Sequence, residues 1–199
     1  MKRIVEIEVS ARHVHLCQSD LNILYGDGYE LTPDKWLSQP GQFVSKERIK
    51  VVGPKKTFEN VAILGPVRKI SQVEFALTDC YSLGILAPVR ESGDINDTPA
   101  VSIATDLNTV DLNNGLIIAK RHIHITPEEA KAFGVIDKQI VSVKVTTDRK
   151  LIFDDVIVRI SPEFRLYMHI DTDEANAANI RKDKVFGEII VKGNFIQTR

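Results

Sequence analysis

Hydrophobic and polar residues alternate along much of this chain, in short runs that are rich in valine and isoleucine. The runs RIVEIEV, IVSVKV, DDVIVRI and GEIIVKG show this pattern, and turns such as Val52–Pro54 and Leu64–Pro66 separate neighbouring runs. Alternation with a period of two is typical of half-buried β-strands. Many short strands divided by glycine and proline turns predict a mainly β protein built as small barrels or a sandwich.

Two phrases of the sequence are nearly identical, SARHVHL near the start and AKRHIHI more than a hundred residues later. A short predicted helix follows each phrase and ends at a glycine, Gly26 in the first copy and Gly134 in the second. In the second copy, Thr126–Glu129 forms a predicted capping box with proline at the first helical position. The pattern predicts the duplication of one unit rather than a solenoid of short repeats.

A second pair of matching segments extends this duplication. KVVGPKKTFENVAIL and KVTTDRKLIFDDVIVRI both predict a valine-rich strand, a charged turn and a second strand. Aligning Phe58–Val61 with Phe153–Val156 places Glu74 opposite His169, which is the fifth and last histidine of the chain. Farther on, LTD matches DTD with a slip of one residue. We place the boundary between the halves near Asn113–Gly115.

The two His-x-His phrases are candidate metal-binding pairs. Side chains at positions i and i+2 of a strand point to the same face, so each phrase presents two imidazoles to one side. One such phrase is commonly a surface feature, but two copies in matching context favour a metal. With the third member of each repeat, the candidate ligands are His13, His15, Glu74, His122, His124 and His169. Three ligands per metal predict a catalytic site, and the donor types suit zinc best, with Co, Ni, Mn and Fe as alternatives.

Three arginines and one serine are further candidates for binding an anion or for structural ion pairs. Arg68 follows a predicted strand end and a Gly-Pro turn, where a guanidinium can hold phosphate or another oxyanion; a solvated arginine is the alternative. Ser92, in RESGD, offers a hydroxyl to an anion, and a plain surface turn is the alternative. Arg12 and Arg121 precede the histidine pairs by one position. Their side chains should point to the opposite face, and we expect them to form structural ion pairs.

Composition excludes several classes of function. The chain of 199 residues has a net charge of −1 with both signs interspersed, which gives no reason to expect nucleic acid or a membrane as partner. It lacks a run of about 20 apolar residues, the length that a transmembrane helix needs. Its cysteines, Cys17 and Cys80, do not make a disulfide framework. We expect a cytoplasmic protein.

The chain resembles the PduL-type phosphate acyltransferases, the phosphotransacylases associated with bacterial microcompartments. The resemblance runs from about Ile7 to Ile180 and rests on the stretches VSARHVHL, LSQPGQF, VVGPKKTFENVAILGPVRKISQVE, LGILAPVRESGD, AKRHIHITPEEA and MHIDTDEANAA. It implies two small β-barrels capped by short helices, one made of residues 1–11 and 116–199 and the other of 12–115. It also implies reversible transfer of a short acyl group, acetyl or propanoyl, between CoA and phosphate.

The resemblance further implies two zinc ions per chain, each bound by a histidine pair from one repeat and the third ligand of the other. One zinc would be bound by Glu74, His122 and His124. The other would be bound by His13, His15 and His169. Arg68 matches the arginine that contacts phosphate in the family. CoA as substrate or product, a homodimer and a downstream acyl kinase are expected on the same ground.

Two other functions use the same residues. A dizinc thioesterase or hydrolase would direct water instead of phosphate to its substrate, and a non-catalytic metal-binding module would need no substrate. A structural zinc has four protein ligands, so three ligands per metal argue against the non-catalytic metal-binding module. Encapsulated members carry an N-terminal helix before the first strand, so we expect a cytoplasmic form rather than one in the microcompartment lumen. The tail after Ile180 is predicted to add a strand.

Overall fold

The protein is mainly β, as the alternation pattern predicts. The structure is a computed structural model that describes residues 2–181 and 184–191. None of the helices in this part of the chain is long and apolar enough to cross a membrane. In chain order the elements are β1 (Ile4–Ser10), β2 (His13–His15), α1 (Gln18–Tyr25), β3 (Pro33–Trp36), β4 (Phe43–Val52), β5 (Thr57–Gly65), β6 (Gln72–Glu74), α2 (Leu77–Leu83), β7 (Val89–Arg90), β8 (Val101–Ala104), β9 (Thr109–Leu112), β10 (Leu116–Ala119), β11 (His122–Ile125), α3 (Pro127–Phe133), β12 (Ile140–Val145), β13 (Leu151–Ile160), β14 (Tyr167–Asp171), α4 (Thr172–Ala177) and β15 (Val185–Ile190).

The chain divides into two compact units, each with its own core. The unit that we call the barrel unit contains the described residues of Met1–Val9, Arg121–Ile170 and Glu174–Arg199. The unit that we call the open-sheet unit contains Ser10–Lys120 and Asp171–Asp173. The domain boundaries given above stay a prediction, because compactness alone does not make either unit an independently folding domain.

The barrel unit is a closed barrel of six strands in the order β1-β14-β11-β13-β12-β15. The strand predicted in the tail is β15, which pairs antiparallel with both β1 and β12 and so completes the closure. Residues 182–183 and 192–199 of that tail lie outside the described residues. The core is built from alternate, inward-facing positions such as Val141, Val143 and Val145 of β12, all fully buried.

Helix α3 of the barrel unit begins as its sequence predicts. The Thr126 hydroxyl accepts a hydrogen bond from the Glu129 backbone N–H at 3.3 Å, and the Glu129 carboxylate accepts one from the Thr126 N–H at 3.1 Å. Pro127 occupies the first helical position, and Gly134 ends the helix in the left-handed region at φ 64°. This capping box confirms the predicted start and directs the chain out of β11, the strand that carries the second histidine pair.

The open-sheet unit contains a sheet in the order β7-β10-β6-β2-β5-β4-β8-β9, with β3 added on β4. This sheet curls into a half-barrel. Its fully buried core includes Ile49, Val51 and Ile63 from the long hairpin of β4 and β5. Helices α1 and α2 contribute Leu21 and Leu83 to the same core, so short helices cover this unit as expected.

The two units repeat the same strand arrangement, which confirms the duplication. Strand β2 lies between β5, which is parallel to it, and β6, which is antiparallel. Strand β11 lies in the same way between β13 and β14. Even an unusual backbone feature recurs, because Asn60 and Asp155 occupy matching positions with φ of 56° and 54°. Both residue types tolerate this left-handed conformation better than most others do.

The barrel leaves no room for a side chain at Gly187 of β15. A Cβ at this position would lie 2.4 Å from Val143 Cγ1 and 3.3 Å from Ile7 Cδ1. We predict that Gly187→Ala lowers the free energy of unfolding by about 1–3 kcal/mol, since overpacking forces neighbouring side chains and backbone to move. Urea unfolding measures the effect, with the exposed neighbour Glu188→Ala as the control. Equal midpoints for the two variants would contradict this packing.

Candidate functional site

The first histidine pair meets Glu74 inside the open-sheet unit. The register of β2 and β6 places His13 directly opposite Glu74. All three side chains are buried, and one ligand atom from each lies within 4.8 Å of the other two. The Nε2 atoms of His13 and His15 are 3.2 Å apart, and each lies 3.5 Å from one oxygen of Glu74. These three residues therefore form one candidate metal site.

Backbone carbonyls determine which nitrogen of each ring faces this site. His13 Nδ1 is 2.8 Å from the carbonyl oxygen of Ala11, and His15 Nδ1 is 3.3 Å from that of Leu64. A carbonyl oxygen only accepts, so each Nδ1 carries a proton. In the neutral rings the Nε2 lone pairs then point toward each other and toward the carboxylate. Zinc-binding histidines are oriented in proteins by this kind of contact on the outer nitrogen.

The charges of this group fit a cation. Burial lowers the pKa of His15 to about 4, so this ring is neutral near pH 7. Burial also lowers the pKa of His13, but the charge and hydrogen bond of Glu74 outweigh it and raise the pKa overall. Burial raises the pKa of Glu74, yet His13 holds it well below its usual value. A metal ion would supply the positive charge that a proton on His13 otherwise provides.

The second histidine pair meets His169 inside the barrel unit. His122 of β11 lies directly opposite His169 of β14, and one nitrogen from each of the three rings lies within 4.8 Å of the others. The rings of His122 and His169 are stacked, with their centroids 5.0 Å apart. Phe164 stacks on the ring of His124 at 4.0 Å, and Glu8 approaches His169 Nδ1 at 3.4 Å. The three candidate ligands of this group are all imidazoles.

The structure brings together the six predicted ligands in a combination that differs from the one the resemblance implies. Each group of three comes from one repeat, whereas the resemblance exchanges Glu74 and His169 between the pairs. The strand register explains the difference, because β6 and β14 are the direct hydrogen-bonded neighbours of β2 and β11. Within each unit the third candidate ligand therefore lies beside the histidine pair of its own repeat, and the exchange of third ligands that the resemblance implies stays a prediction.

Arg68 and Ser92 lie in the open-sheet unit and contact each other. Arg68 Nη1 is 2.8 Å from the Ser92 hydroxyl oxygen, which is also 2.7 Å from Glu74 Oε1. The backbone N–H of Arg68 donates to the carbonyl of Leu16, directly after β2. One hydroxyl therefore connects the predicted phosphate-binding arginine to a candidate metal ligand. Sequence reasoning missed Gln72, which also contacts Ser92 and Glu74; its position two residues before Glu74 on β6 was the available signal.

The arginines that precede the histidine pairs form ion pairs, as expected. Arg12 contacts Asp79 at 2.9 Å, and its guanidinium lies 4.9 Å from the centre of the Phe58 ring. Arg121, the matching residue of the other repeat, contacts Glu174 at 2.7 Å. Each pair tethers a histidine-bearing strand to a helical residue of its own unit, Asp79 of α2 and Glu174 of α4 respectively.

Comparison with known proteins identifies the family. A family model described as phosphate propanoyltransferase matches residues 6–181. The chain belongs to this family. Relatives named phosphate propanoyltransferase include those of Listeria monocytogenes, 57% identical over 94% of this chain and 88% of the relative, Enterococcus faecalis, 59% over 89% and 84%, and Thermotoga maritima, 54% over 86% and 82%. The resemblance seen in the sequence is confirmed, and the protein is an acyltransferase.

The contacts of Arg12 predict a structural role. Asp79 is buried, and its Oδ2 has no hydrogen-bond partner among the described residues. We predict that Arg12→Met lowers the free energy of unfolding by about 1–2 kcal/mol, less than for a fully buried pair because the arginine is nearly half exposed. Chemical denaturation measures this loss, and adding Asp79→Asn should recover part of it. An unchanged midpoint for Arg12→Met would contradict the structural role.

Proposed function

We propose that this chain transfers an acetyl or propanoyl group reversibly between CoA and phosphate, with two zinc ions bound by its six candidate ligands. The single observation that carries the proposal is the connection of Arg68 to Glu74 through the Ser92 hydroxyl. This contact brings a candidate oxyanion-binding group close to a candidate metal ligand in a member of an acyltransferase family. The names of the relatives support propanoyl-CoA and phosphate as the substrate class.

We assign two zinc ions to the six candidate ligands, His13, His15, Glu74, His122, His124 and His169. The distribution of Glu74 and His169 between the two ions stays the prediction that the resemblance gives. Two or three imidazoles with at most one carboxylate suit zinc, and three protein ligands leave a position for substrate. When bound, zinc supplies a Lewis acid that polarises a thioester carbonyl and stabilises negative charge on the departing sulfur.

The residues of the chain supply the rest of the reaction. The Arg68 guanidinium binds phosphate through paired N–H groups and orients one phosphate oxygen toward the thioester carbon. That oxygen forms the new bond to carbon, the carbon–sulfur bond breaks, and CoA leaves with the electron pair. Ser92 keeps the guanidinium at a defined distance from Glu74, so attack needs little further ordering of the nucleophile. We also retain Ser92 as a candidate contact for an anionic group of the substrate.

The dizinc hydrolase is the remaining alternative, since the same ligands can activate water. Membership of an acyltransferase family favours phosphate as the acceptor and argues against a non-catalytic metal-binding module. A homodimer, a downstream acyl kinase and a cytoplasmic location stay predictions.

The first test separates phosphate transfer from hydrolysis. Zinc-loaded protein is mixed with propanoyl-CoA, with and without phosphate, and free CoA is measured. We expect CoA release that depends on phosphate, disappears after chelation and returns with zinc, because both the acceptor and the polarising ion are then required. Release at the same rate without phosphate would support the hydrolase instead.

The zinc assignment is tested by matched variants, His15→Ala in one group and His124→Ala in the other. We expect two zinc ions per wild-type chain and one per variant chain by elemental analysis after dialysis, and loss of transfer in both variants. Because the two histidine pairs lie on different strands, His15→Ala should leave the affinity of the zinc bound by His122 and His124 unchanged. Loss of both ions in either variant would contradict independent groups.

The role of Arg68 is tested by Arg68→Lys. Lysine keeps the positive charge but loses the paired N–H geometry, so we expect the KM for phosphate to rise by roughly 10-fold or more. The zinc content and the KM for propanoyl-CoA should stay at the wild-type level. Lys69→Met is the control, because it removes the positive charge of an exposed neighbouring residue outside the site. Equal phosphate KM values for wild type and Arg68→Lys would exclude a role for the arginine in binding phosphate.

A further inference from the structure

We propose that Ser71 is a positioning residue, which completes the cap of helix α1 and thereby fixes the segment of chain that carries Arg68. The inference rests on the proposed function in one respect, namely that Arg68 binds phosphate. It goes beyond that proposal because Ser71 is neither a candidate metal ligand nor a candidate contact for phosphate.

Arg68 lies in the connection between β5 and β6, which consists of residues 66–71. The residues on either side of Arg68 are exposed, whereas Ser71 at the end of the connection is only 5% exposed. An exposed segment is held in place by its hydrogen bonds more than by packing. The hydrogen bonds of this connection therefore determine where the guanidinium can reach.

A backbone hydrogen bond is the first tie between this connection and the end of β2. The carbonyl of Leu16 accepts the N–H of Arg68 at 2.8 Å, and in the other repeat the matching carbonyl of Ile125 accepts the N–H of Ser161 at 3.2 Å. Ser161 is the first residue after β13, and the first residue after β5 is Pro66, which has no N–H to donate. The proline leaves the carbonyl to Arg68, so the backbone of the arginine itself is tied to the histidine strand.

The Ser71 hydroxyl is the second tie, and it joins three parts of the chain. Its oxygen accepts the backbone N–H of Cys17 at 2.9 Å, and its proton goes to Asp20, whose Oδ2 lies 2.5 Å away. The Cys17 sulfur, at 3.4 Å, is a weaker partner. Cys17 is the N-cap residue of α1, and Asp20 lies in the first turn of this helix. One hydroxyl therefore connects the Arg68 segment to the start of α1.

The second repeat shows which contact this hydroxyl replaces. There the N–H of Thr126 donates directly to Glu129 Oε2 at 3.1 Å, as part of the capping box of α3. Cys17 and Asp20 stand at the matching positions of the first repeat, and aspartate is one methylene shorter than glutamate. The Ser71 oxygen lies between the N–H and the carboxylate, so the same contact is closed in two steps.

The residue that matches Ser71 in the second repeat has no such role. Ser71 precedes Gln72, the cross-strand partner of His15, and Leu166 precedes Tyr167, the cross-strand partner of His124. Leucine has no hydrogen-bonding side chain, and the capping box of α3 is complete without one. The hydroxyl thus occurs in the repeat whose connection carries the arginine. A glutamate in place of the aspartate would cap α1 equally well, but it would not tie the connection to the helix.

The two ties hold the connection at positions three residues apart, at the Arg68 backbone and at the Ser71 side chain. From this segment the guanidinium reaches the Ser92 hydroxyl at 2.8 Å. Removal of the second tie keeps the charge of the arginine but lets its backbone sample more positions. Ordering it again has a free-energy cost that appears when phosphate binds.

The test compares Ser71→Ala with the matched control Ser142→Ala. Ser142 is also a buried serine, 5% exposed, and its hydroxyl donates to a carboxylate oxygen, Asp154 Oδ1, at 2.8 Å. It lies on β12 of the barrel unit, whereas Arg68 belongs to the open-sheet unit. The two variants therefore lose the same kind of buried hydrogen bond, and only one of them loses the tie to the Arg68 segment.

A double variant, Asp20→Glu added to Ser71→Ala, separates the tie from the cap. The longer carboxylate can accept the Cys17 N–H directly, as Glu129 accepts that of Thr126. This variant restores the start of α1 without restoring the connection to the Arg68 segment. It also keeps the test decisive if Ser71→Ala alone is too unstable to assay.

The measurements are the KM for phosphate, the KM for propanoyl-CoA, the zinc content and the midpoint of urea unfolding. For Ser71→Ala we expect the phosphate KM to rise by roughly 2–10-fold, the factor that one hydrogen bond typically supplies. Its zinc content and its KM for propanoyl-CoA should stay at the wild-type level, and its midpoint should fall because the cap is lost. In the double variant the midpoint should recover while the phosphate KM stays raised. Ser142→Ala should lower the midpoint alone.

The outcomes are separable. A phosphate KM that stays at the wild-type level in Ser71→Ala, while Arg68→Lys raises it, would overturn the positioning role and leave the proposed function standing. Recovery of both the midpoint and the phosphate KM in the double variant would also overturn it, because the effect would then pass through the helix alone. If the wild-type protein releases no CoA in response to phosphate, the proposed function fails and this inference with it. A raised phosphate KM in both Ser71 variants but not in Ser142→Ala supports the inference.

Discussion

The candidate site depends on one constraint, the register of a short His-x-His strand between two hydrogen-bonded neighbours. Strand β2 is held on both edges, by β5 and by β6, and β11 is held in the same way by β13 and β14. A slip of one residue would turn both histidines of a pair to the opposite face of the sheet. It would also remove the third ligand, since Glu74 and His169 each lie directly across from the first histidine of a pair.

Burial of His13, His15 and Glu74 has an electrostatic cost that the surrounding residues limit. Two imidazole lone pairs and a carboxylate converge inside the open-sheet unit, where an unpartnered polar group is destabilising. Carbonyl oxygens take up the outer N–H groups of His13 and His15, and Gln72 and Ser92 donate to Glu74. The remaining requirement is one positive charge among three atoms. Without metal, Glu74 raises the pKa of His13, which favours a proton on this ring. A bound metal ion would supply positive charge to all three atoms at once.

Sequence reasoning could predict candidate ligands because spacing within a repeat is a local property. The match of Glu74 to His169 followed from aligning two hairpins, and the structure gives both residues the same cross-strand position. The grouping of candidate ligands within each unit could not be predicted from spacing, since it depends on which strands become neighbours. The match of LTD to DTD needed a slip of one residue. The ion pairs of Arg12 and Arg121 remove the slip, because they match Asp79 to Glu174.

Glu74 in one repeat stands where His169 stands in the other, and this difference makes the two groups chemically different. A divalent ion bound by His13, His15 and Glu74 would leave a net charge of +1, whereas three neutral imidazoles would leave +2. Glu8 adds a negative charge 3.4 Å from His169 Nδ1 of the second group. The carboxylate group is also the one connected to Arg68, which returns a positive charge close by. The duplication thus supplied equal frameworks, and substitution at one position left a carboxylate in the group beside Arg68 and a third imidazole in the other group.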